Sequence, residues 1–120
     1  MSRARRGARA HQAGLAAEDA ALRWYQSRGA ALLLRRWRCE AGEIDLILRL
    51  PDAIVFVEVK RRKSASADSP VTEAQWRRLE MAAETYILQA ETGQTAVRFD
   101  VALVGGDGTV GVIENARVTS

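Results

Sequence analysis

The sequence predicts a single α/β domain in which a mixed β-sheet is flanked by helices. Its 120 residues suit one domain rather than two. Two segments repeat apolar residues with helical spacing, whereas five short apolar runs are typical of strands. A helix also lies between the third and fourth of these runs, which favours a parallel crossover. The predicted order is therefore α-β-β-β-α-β-β.

Capping signals accompany both predicted helices. The first spans about residues 12–28, and Gly29 follows it as a C-terminal cap. The second spans about residues 72–91, where Thr72 and Gln75 have the spacing of a capping box. Helical spacing gives this second helix an apolar face composed of Trp76, Leu79, Ala83, Tyr86 and Ile87.

Five strands are predicted from apolar runs that end at turn residues. They are Ala31–Trp37, Glu43–Leu50, Ala53–Lys60, Ala96–Val104 and Thr109–Glu114. Between the second and third strands, Pro51 and Asp52 form a two-residue turn. This turn predicts the register of the hairpin, because Leu50 must then lie opposite Ala53.

Continuing that register brings four charged side chains together. Asp45 is expected opposite Glu58, and Glu43 opposite Lys60, with Glu43 as a further candidate site residue. Strand alternation places all four on one face of the sheet. The other face is apolar and is predicted to be core: Ile44, Leu46, Leu48, Leu50, Val55, Val57 and Val59.

Two carboxylates that face each other repel unless water, a proton or a cation separates them. Because the neighbours of Asp45 and Glu58 are apolar, a divalent cation is favoured, and carboxylate oxygens suit Mg²⁺ or Mn²⁺. Lys60 lies on the same face and can orient an attacking water or stabilise charge on a phosphate. This set indicates metal-assisted phosphodiester hydrolysis. The alternative interpretation is that the Glu-x-Lys pair is simply the solvated face of a strand.

The charge distribution indicates a phosphate-bearing partner. The formal net charge is +3, from 18 Lys and Arg against 15 Asp and Glu. Four arginines lie among the first ten residues, so residues 1–11 are predicted to be a disordered basic tail. The domain is expected over residues 12–116, and residues 117–120 form a C-terminal tail. Within the domain, the predicted nucleic-acid contacts are Arg35, Arg36, Arg38, Arg61 and Arg62.

Several protein classes are excluded by composition. Cys39 is the single cysteine and His11 the single histidine, which excludes a disulfide framework and a His/Cys zinc site within one chain. No apolar run approaches the roughly 20 residues that cross a bilayer. We therefore expect a cytoplasmic protein with no membrane partner.

Four ordered motifs resemble the bacterial YraN-like family. They are Gly14–Ala21 (GLAAEDAA), Gly42–Ile47 (GEIDLI), Val55–Lys60 (VFVEVK) and Arg98–Val101 (RFDV). The resemblance covers about residues 12–116. That family looks like a member of the restriction-endonuclease-like PD-(D/E)xK superfamily and is similar to the archaeal Holliday-junction resolvases.

This resemblance implies a restriction-endonuclease-like fold and a set of site residues. Asp45 resembles the metal-binding aspartate of the superfamily, and Glu58 and Lys60 resemble its Glu-x-Lys pair. Glu18 matches the helix-one glutamate of the resolvases, which reaches the metal directly or through water. Gln75 falls where resolvases carry a polar active-site residue, although its alternative role is the capping box.

Two function classes follow. The first is a metal-dependent DNA endonuclease, acting on branched DNA and favoured by the presence of Asp45, Glu58 and Lys60 together. The alternative is a non-catalytic nucleic-acid-binding module in DNA repair, recombination or uptake. DNA is the expected partner, with RNA left open, and so small a domain is expected to act as a homodimer. Asp100, by contrast, is interpreted as structural, with Arg98 as its ion-pair partner.

Overall fold

The computed structural model describes the backbone of residues 3–62, 71–90, 93 and 96–117, and the side chains from residue 12 onward within those ranges. Its elements are α1 (Arg3–Gln26), β1 (Ala31–Cys39), β2 (Gly42–Leu50), β3 (Ala53–Arg62), α2 (Glu73–Ala90), β4 (Val97–Gly105) and β5 (Val110–Ile113). The strands form one sheet in the order β1-β2-β3-β4-β5. Neighbours are antiparallel except β3 and β4, which are parallel. The predicted α/β class, element order and mixed sheet are confirmed.

Helix α1 begins earlier than predicted. It starts at Arg3, so residues 3–11, expected to belong to a disordered tail, are helical. Alanine and arginine are strong helix formers, which allows a helix anchored further along to extend through them. At the other end Gly29 has φ 89°, and the N–H of Ala30 donates to the carbonyl of Tyr25 at 3.1 Å, so the predicted glycine cap is present. Neither helix within the described residues is long and apolar enough to span a membrane.

The two helices cover opposite faces of the sheet, so the core has two layers. Successive residues of a strand point to opposite faces of the sheet. The α1 layer contains Ala17, Ala21, Tyr25, Leu46, Leu48, Val55, Val57 and Ala102. The α2 layer contains Ile44, Ile47, Phe56, Trp76, Leu79, Ala83, Tyr86 and Phe99. Both faces of the central strands are therefore buried, which agrees with their nearly continuous apolar sequence.

The β2–β3 hairpin has the predicted register from its turn as far as the Leu46–Val57 pair. The pairing of the two strands ends there, and the expected Asp45–Glu58 pair is not part of it. Ile44 packs in the α2 layer although Leu46, two residues later, packs in the α1 layer. The prediction that both lie on one face is wrong, because regular strand alternation breaks at Asp45.

Helix α2 begins with the predicted capping box. The Gln75 N–H donates to Thr72 Oγ1 at 3.2 Å, and the Thr72 N–H donates to Gln75 Oε1 at 2.9 Å. Its outer face is tied to the end of the described chain, because Arg117 contacts Glu73 at 2.6 Å and Glu80 at 3.0 Å. Arg117 thus packs on the domain rather than belonging to a tail, and residues 118–120 lie outside the described residues.

Candidate functional site

The candidate site lies where β2 and β3 separate. Asp45 Oδ2 accepts a hydrogen bond from the Val59 N–H at 2.8 Å. In a regular ladder that N–H would be satisfied by a backbone carbonyl of the neighbouring strand. The Asp45 carboxylate takes this role instead, and the two strands diverge beside a pocket.

This pocket lies between α1 and the diverging strands, and we call it the α1-side pocket. Its volume is about 290 Å³, and its lining residues are Gly14, Ala17, Glu18, Asp45, Val59, Lys60 and Arg61. Three of the predicted site residues, Glu18, Asp45 and Lys60, therefore share one cavity. Two of them come from the sheet and one comes from the helix that covers it.

A smaller pocket of about 150 Å³, the α2-side pocket, holds the other candidates. Glu43, Glu58 and Gln75 line it together with Arg78 and other residues of α2 and β2. Glu43 and Glu58 therefore line a different pocket from Asp45 and Lys60, although the charges of both lie near enough to help raise the pKa of Asp45.

An ion pair joins the two pockets. Lys60 Nζ lies 3.3 Å from Glu58 Oε1, although Lys60 lines the α1-side pocket and Glu58 the α2-side pocket. Both side chains are largely shielded from solvent, with exposed fractions of 29% and 19%. The Glu58 charge thus lies close to the pocket that contains Asp45.

The pKa values of the two strand carboxylates are raised. Burial, followed by the negative charge of Glu58, raises the pKa of Asp45 to about 7, although the Val59 N–H opposes the shift. Burial also raises the pKa of Glu58, and the ammonium of Lys60 limits that rise. Raised carboxylate pKa values in a cleft are typical of functional sites, because structural carboxylates are usually stabilised in their charged form.

Glu18 is buried, with an exposed fraction of 6%, and its charge is neutralised by arginine. Arg36 Nε donates to both of its carboxylate oxygens, at 3.0 and 3.1 Å, and Nη2 adds a bond at 3.0 Å. Arg36 has φ 51°, a backbone conformation that is uncommon for a residue other than glycine. No local spacing in the sequence indicates this pairing, and the charge pattern places Arg36 among the predicted nucleic-acid contacts instead.

The other arginines of β1 are also paired. Arg35 lies 2.9 Å from Asp19, and Arg38 lies 3.0 Å from Glu43. The predicted nucleic-acid role of the β1 arginines stays a prediction, with their guanidinium groups already engaged by carboxylates. Arg61 and Arg62 are exposed at the end of β3, and no carboxylate pairs with either one within the described residues.

Asp100 has the structural role that was predicted. It is fully buried, and Arg98 contacts it through Nε and Nη2, each at 2.9 Å. Two further donors complete its surroundings: the Tyr25 hydroxyl at 2.6 Å and the Asn115 N–H at 3.0 Å. Nothing in the local sequence around Tyr25 indicates a partner 75 positions away.

Comparison with known proteins agrees with the resemblance found in the motifs. The model of the uncharacterised protein family UPF0102 matches residues 17–104. A UPF0102 protein of Ruegeria pomeroyi is 50% identical over 115 residues, which cover 94% of this chain and 94% of that protein. One of Roseobacter denitrificans is 43% identical over 117 residues, covering 96% and 91%. One of Cereibacter sphaeroides is 45% identical over 108 residues, covering 88% and 92%. The chain belongs to the UPF0102 family, the YraN-like family that its motifs resemble.

Proposed function

We propose that this protein is a metal-dependent endonuclease that hydrolyses phosphodiester bonds in DNA. The observation that carries the proposal is the state of the Asp45 carboxylate. It is partly buried, its pKa is raised to about 7, and it lies in a pocket beside Lys60 and near the charge of Glu58. Leaving such a group ionised without a cation is costly, so the site favours a positively charged ligand from solution.

The donor set fits Mg²⁺ or Mn²⁺, with Asp45 and Glu58 as the residues that would hold the ion. Mg²⁺ usually keeps several waters and takes only one or two carboxylates from the protein. The described residues contain no cluster of three or more Asp, Glu, His or Cys placed to hold a metal, so water and phosphate oxygens complete this proposed set. When bound, such an ion neutralises phosphate charge and lowers the pKa of a water.

Besides the metal ion, the ammonium group of Lys60 is the positive charge that acts on the reacting phosphate. Lys60 lines the α1-side pocket, and the ion pair with Glu58 restricts where its ammonium can lie. From this position it hydrogen-bonds an attacking water or a non-bridging phosphate oxygen whose charge increases in the transition state. Glu18, fixed by Arg36, lines the same pocket and orients solvent there.

The alternative function is a non-catalytic nucleic-acid-binding module, and one observation favours it. The resemblance to resolvases makes Glu18 an acidic residue that reaches the metal. In this protein three hydrogen bonds from Arg36 already engage its carboxylate. If that engagement persists with DNA bound, only two carboxylates remain for an ion.

A nuclease assay separates the two functions. Purified protein is incubated with linear, flapped and four-way DNA in Mg²⁺ or Mn²⁺, and products are resolved on denaturing gels. We expect cleavage by the wild type and by the control variant Asp52→Asn, which changes an exposed turn residue at the far end of the hairpin. We expect no cleavage by Asp45→Asn, together with weaker Mn²⁺ binding in a calorimetric titration. DNA binding without cleavage by any protein would favour the binding module.

A further inference from the structure

A larger groove adjoins the α1-side pocket, between α1 and the turn that follows β4. We call it the basic groove, and its volume is about 680 Å³. Its walls are the alanine-rich face of α1, the end of β3, and the turn at residues 105–108. Ala17 and Arg61 line both cavities, so the groove leads directly into the pocket that contains Asp45.

Three exposed arginines line this groove. Arg23 comes from the last turns of α1, and Arg61 and Arg62 come from the end of β3. In the part of the chain that the structure describes, none of the three forms an ion pair. This distinguishes them from Arg35 and Arg36 of β1, whose guanidinium groups are held by carboxylates.

The groove also contains one carboxylate among its described lining residues, and its partners are local. Asp107 Oδ1 accepts hydrogen bonds from the hydroxyl and the N–H of Thr109 at 2.7 and 3.0 Å. Asp107 forms no ion pair with an arginine of the groove within the described chain. The groove therefore has three positive charges against one negative charge.

The shape of the basic groove suits an extended chain. Its α1 wall consists mainly of alanines, Ala13, Ala16, Ala17 and Ala20, which have no side chain beyond Cβ. The opposite wall is the glycine-rich turn at residues 105–108, and Gly105 lies beside Arg62 in the β3–β4 register. A sugar-phosphate chain can approach both walls closely, while the arginines provide planar donors for phosphate oxygens.

We propose that the basic groove binds the phosphodiester backbone of the DNA strand whose scissile phosphate enters the α1-side pocket. This inference rests on the proposed function. Arg23, Arg61 and Arg62 contact the phosphates that flank the scissile one, and thereby place it beside Asp45 and Lys60. The contacts are made to the backbone, so they hold the strand without reading its sequence.

The test measures binding separately from cleavage. Fluorescence anisotropy is recorded with labelled DNA in Ca²⁺ over a series of salt concentrations, for wild type, R23Q/R62Q and the control R49Q. Arg49 is an exposed arginine near the other end of β2 that does not line the groove. Loss of two phosphate contacts should weaken binding about tenfold and reduce the slope of log K against log salt by about 2. R49Q should match the wild type within about twofold, and thermal melting should show that all three proteins are folded.

Two results would overturn the proposal. One is an R23Q/R62Q affinity equal to that of R49Q, and the other is equal competition by poly-glutamate and by DNA of the same charge. The measurements distinguish a failure of this proposal from a failure of the nuclease proposal. If DNA binding requires the groove arginines but no protein cleaves DNA in Mg²⁺, the groove proposal stands and the nuclease proposal is rejected. If the wild type cleaves DNA and R23Q/R62Q has the same KM, the nuclease proposal stands and the groove proposal is rejected.

Discussion

Asp45 and Asp100 are both shielded carboxylates of the central sheet, but their surroundings differ. Asp100 is fully buried and accepts hydrogen bonds from Tyr25, from two nitrogens of Arg98 and from the Asn115 N–H. Asp45 accepts a hydrogen bond from the Val59 N–H and otherwise faces a pocket. The protein compensates the first charge with several internal donors, whereas the second has one backbone donor and lies near another carboxylate.

This difference predicts which of the two carboxylates has a structural role and which has a functional one. A buried charge with several donors, one of them a guanidinium, contributes to packing and is costly to disturb. A shielded charge that lies near a second carboxylate is unfavourable in the free protein, and it persists where binding or catalysis requires it. Four variants test this distinction, in order of decreasing expected effect.

Lys60→Ala should produce the largest change, in the rate of cleavage. Removing one preorganised positive group from a developing phosphate charge costs about 10²–10³-fold in kcat. DNA affinity in Ca²⁺ should stay within about twofold, because one of many positive charges is lost. Single-turnover cleavage and anisotropy give the two quantities. Equal losses of affinity and cleavage would make Lys60 a simple binding contact.

Asp100→Asn should destabilise the fold by about 3 kcal/mol, near the lower end for a broken buried pair because Arg98 keeps some solvent contact. The guanidinium would lose its anionic partner, and the link between α1 and β4 would weaken. Urea unfolding followed by circular dichroism measures the free energy of unfolding. A change below about 1 kcal/mol would mean that the cluster contributes no more than an ordinary hydrogen bond.

Asp45→Asn should have the opposite sign in metal-free protein. The pKa of Asp45 is raised to about 7 on folding, so its contribution to stability is fully present below the ordinary aspartate range and is lost as pH rises through 7. The variant cannot ionise and should therefore exceed the wild type by about 2 kcal/mol at pH 8, with little difference near pH 4. Urea unfolding at both pH values measures this. A variant less stable than the wild type at pH 8 would contradict the assignment.

Tyr25→Phe should give the smallest effect, a loss of about 1.5 kcal/mol, which is typical of one hydrogen bond to a charged group. The ring and its packing remain, and Asp100 keeps its other donors. Thermal melting of Tyr25→Phe, Asp100→Asn and the double variant shows whether the two losses of stability are additive. Additive losses in the double variant would mean that Tyr25 and Asp100 act independently, contrary to their 2.6 Å contact.

Local sequence was sufficient for much of the architecture. The Pro51–Asp52 turn predicted the hairpin register down to the Leu46–Val57 pair, and Thr72 with Gln75 predicted the start of α2. These features depend on neighbours along the chain, where spacing alone defines which groups meet. The disorder predicted for residues 3–11 differs from the helix that the structure shows there. The prediction relied on their positive charge, although alanine and arginine also favour a helix.

The candidate site was predicted in its residue types and only in part in its arrangement. The alternation of β2 and β3 identified Asp45, Glu58 and Lys60 as a group, but it could not show the break in alternation at Asp45 or that Glu58 lines a second pocket. That break depends on a side chain replacing a backbone partner, as Asp45 does for the Val59 N–H. The periodic pattern of apolar residues does not indicate where a side chain replaces a backbone hydrogen-bond partner.

The sequence by itself determined which elements form and in what order, and it identified Asp45, Glu58 and Lys60 as residues that lie near one another. Only the tertiary structure decided which charged and polar groups meet over long stretches of chain. Arg36 engages Glu18, Tyr25 engages Asp100, and Arg23 joins the β3 arginines in the basic groove. The physical reason is distance along the chain. Pairs of charges brought together by helix packing have no local spacing rule, whereas their energies depend on separations of a few ångströms.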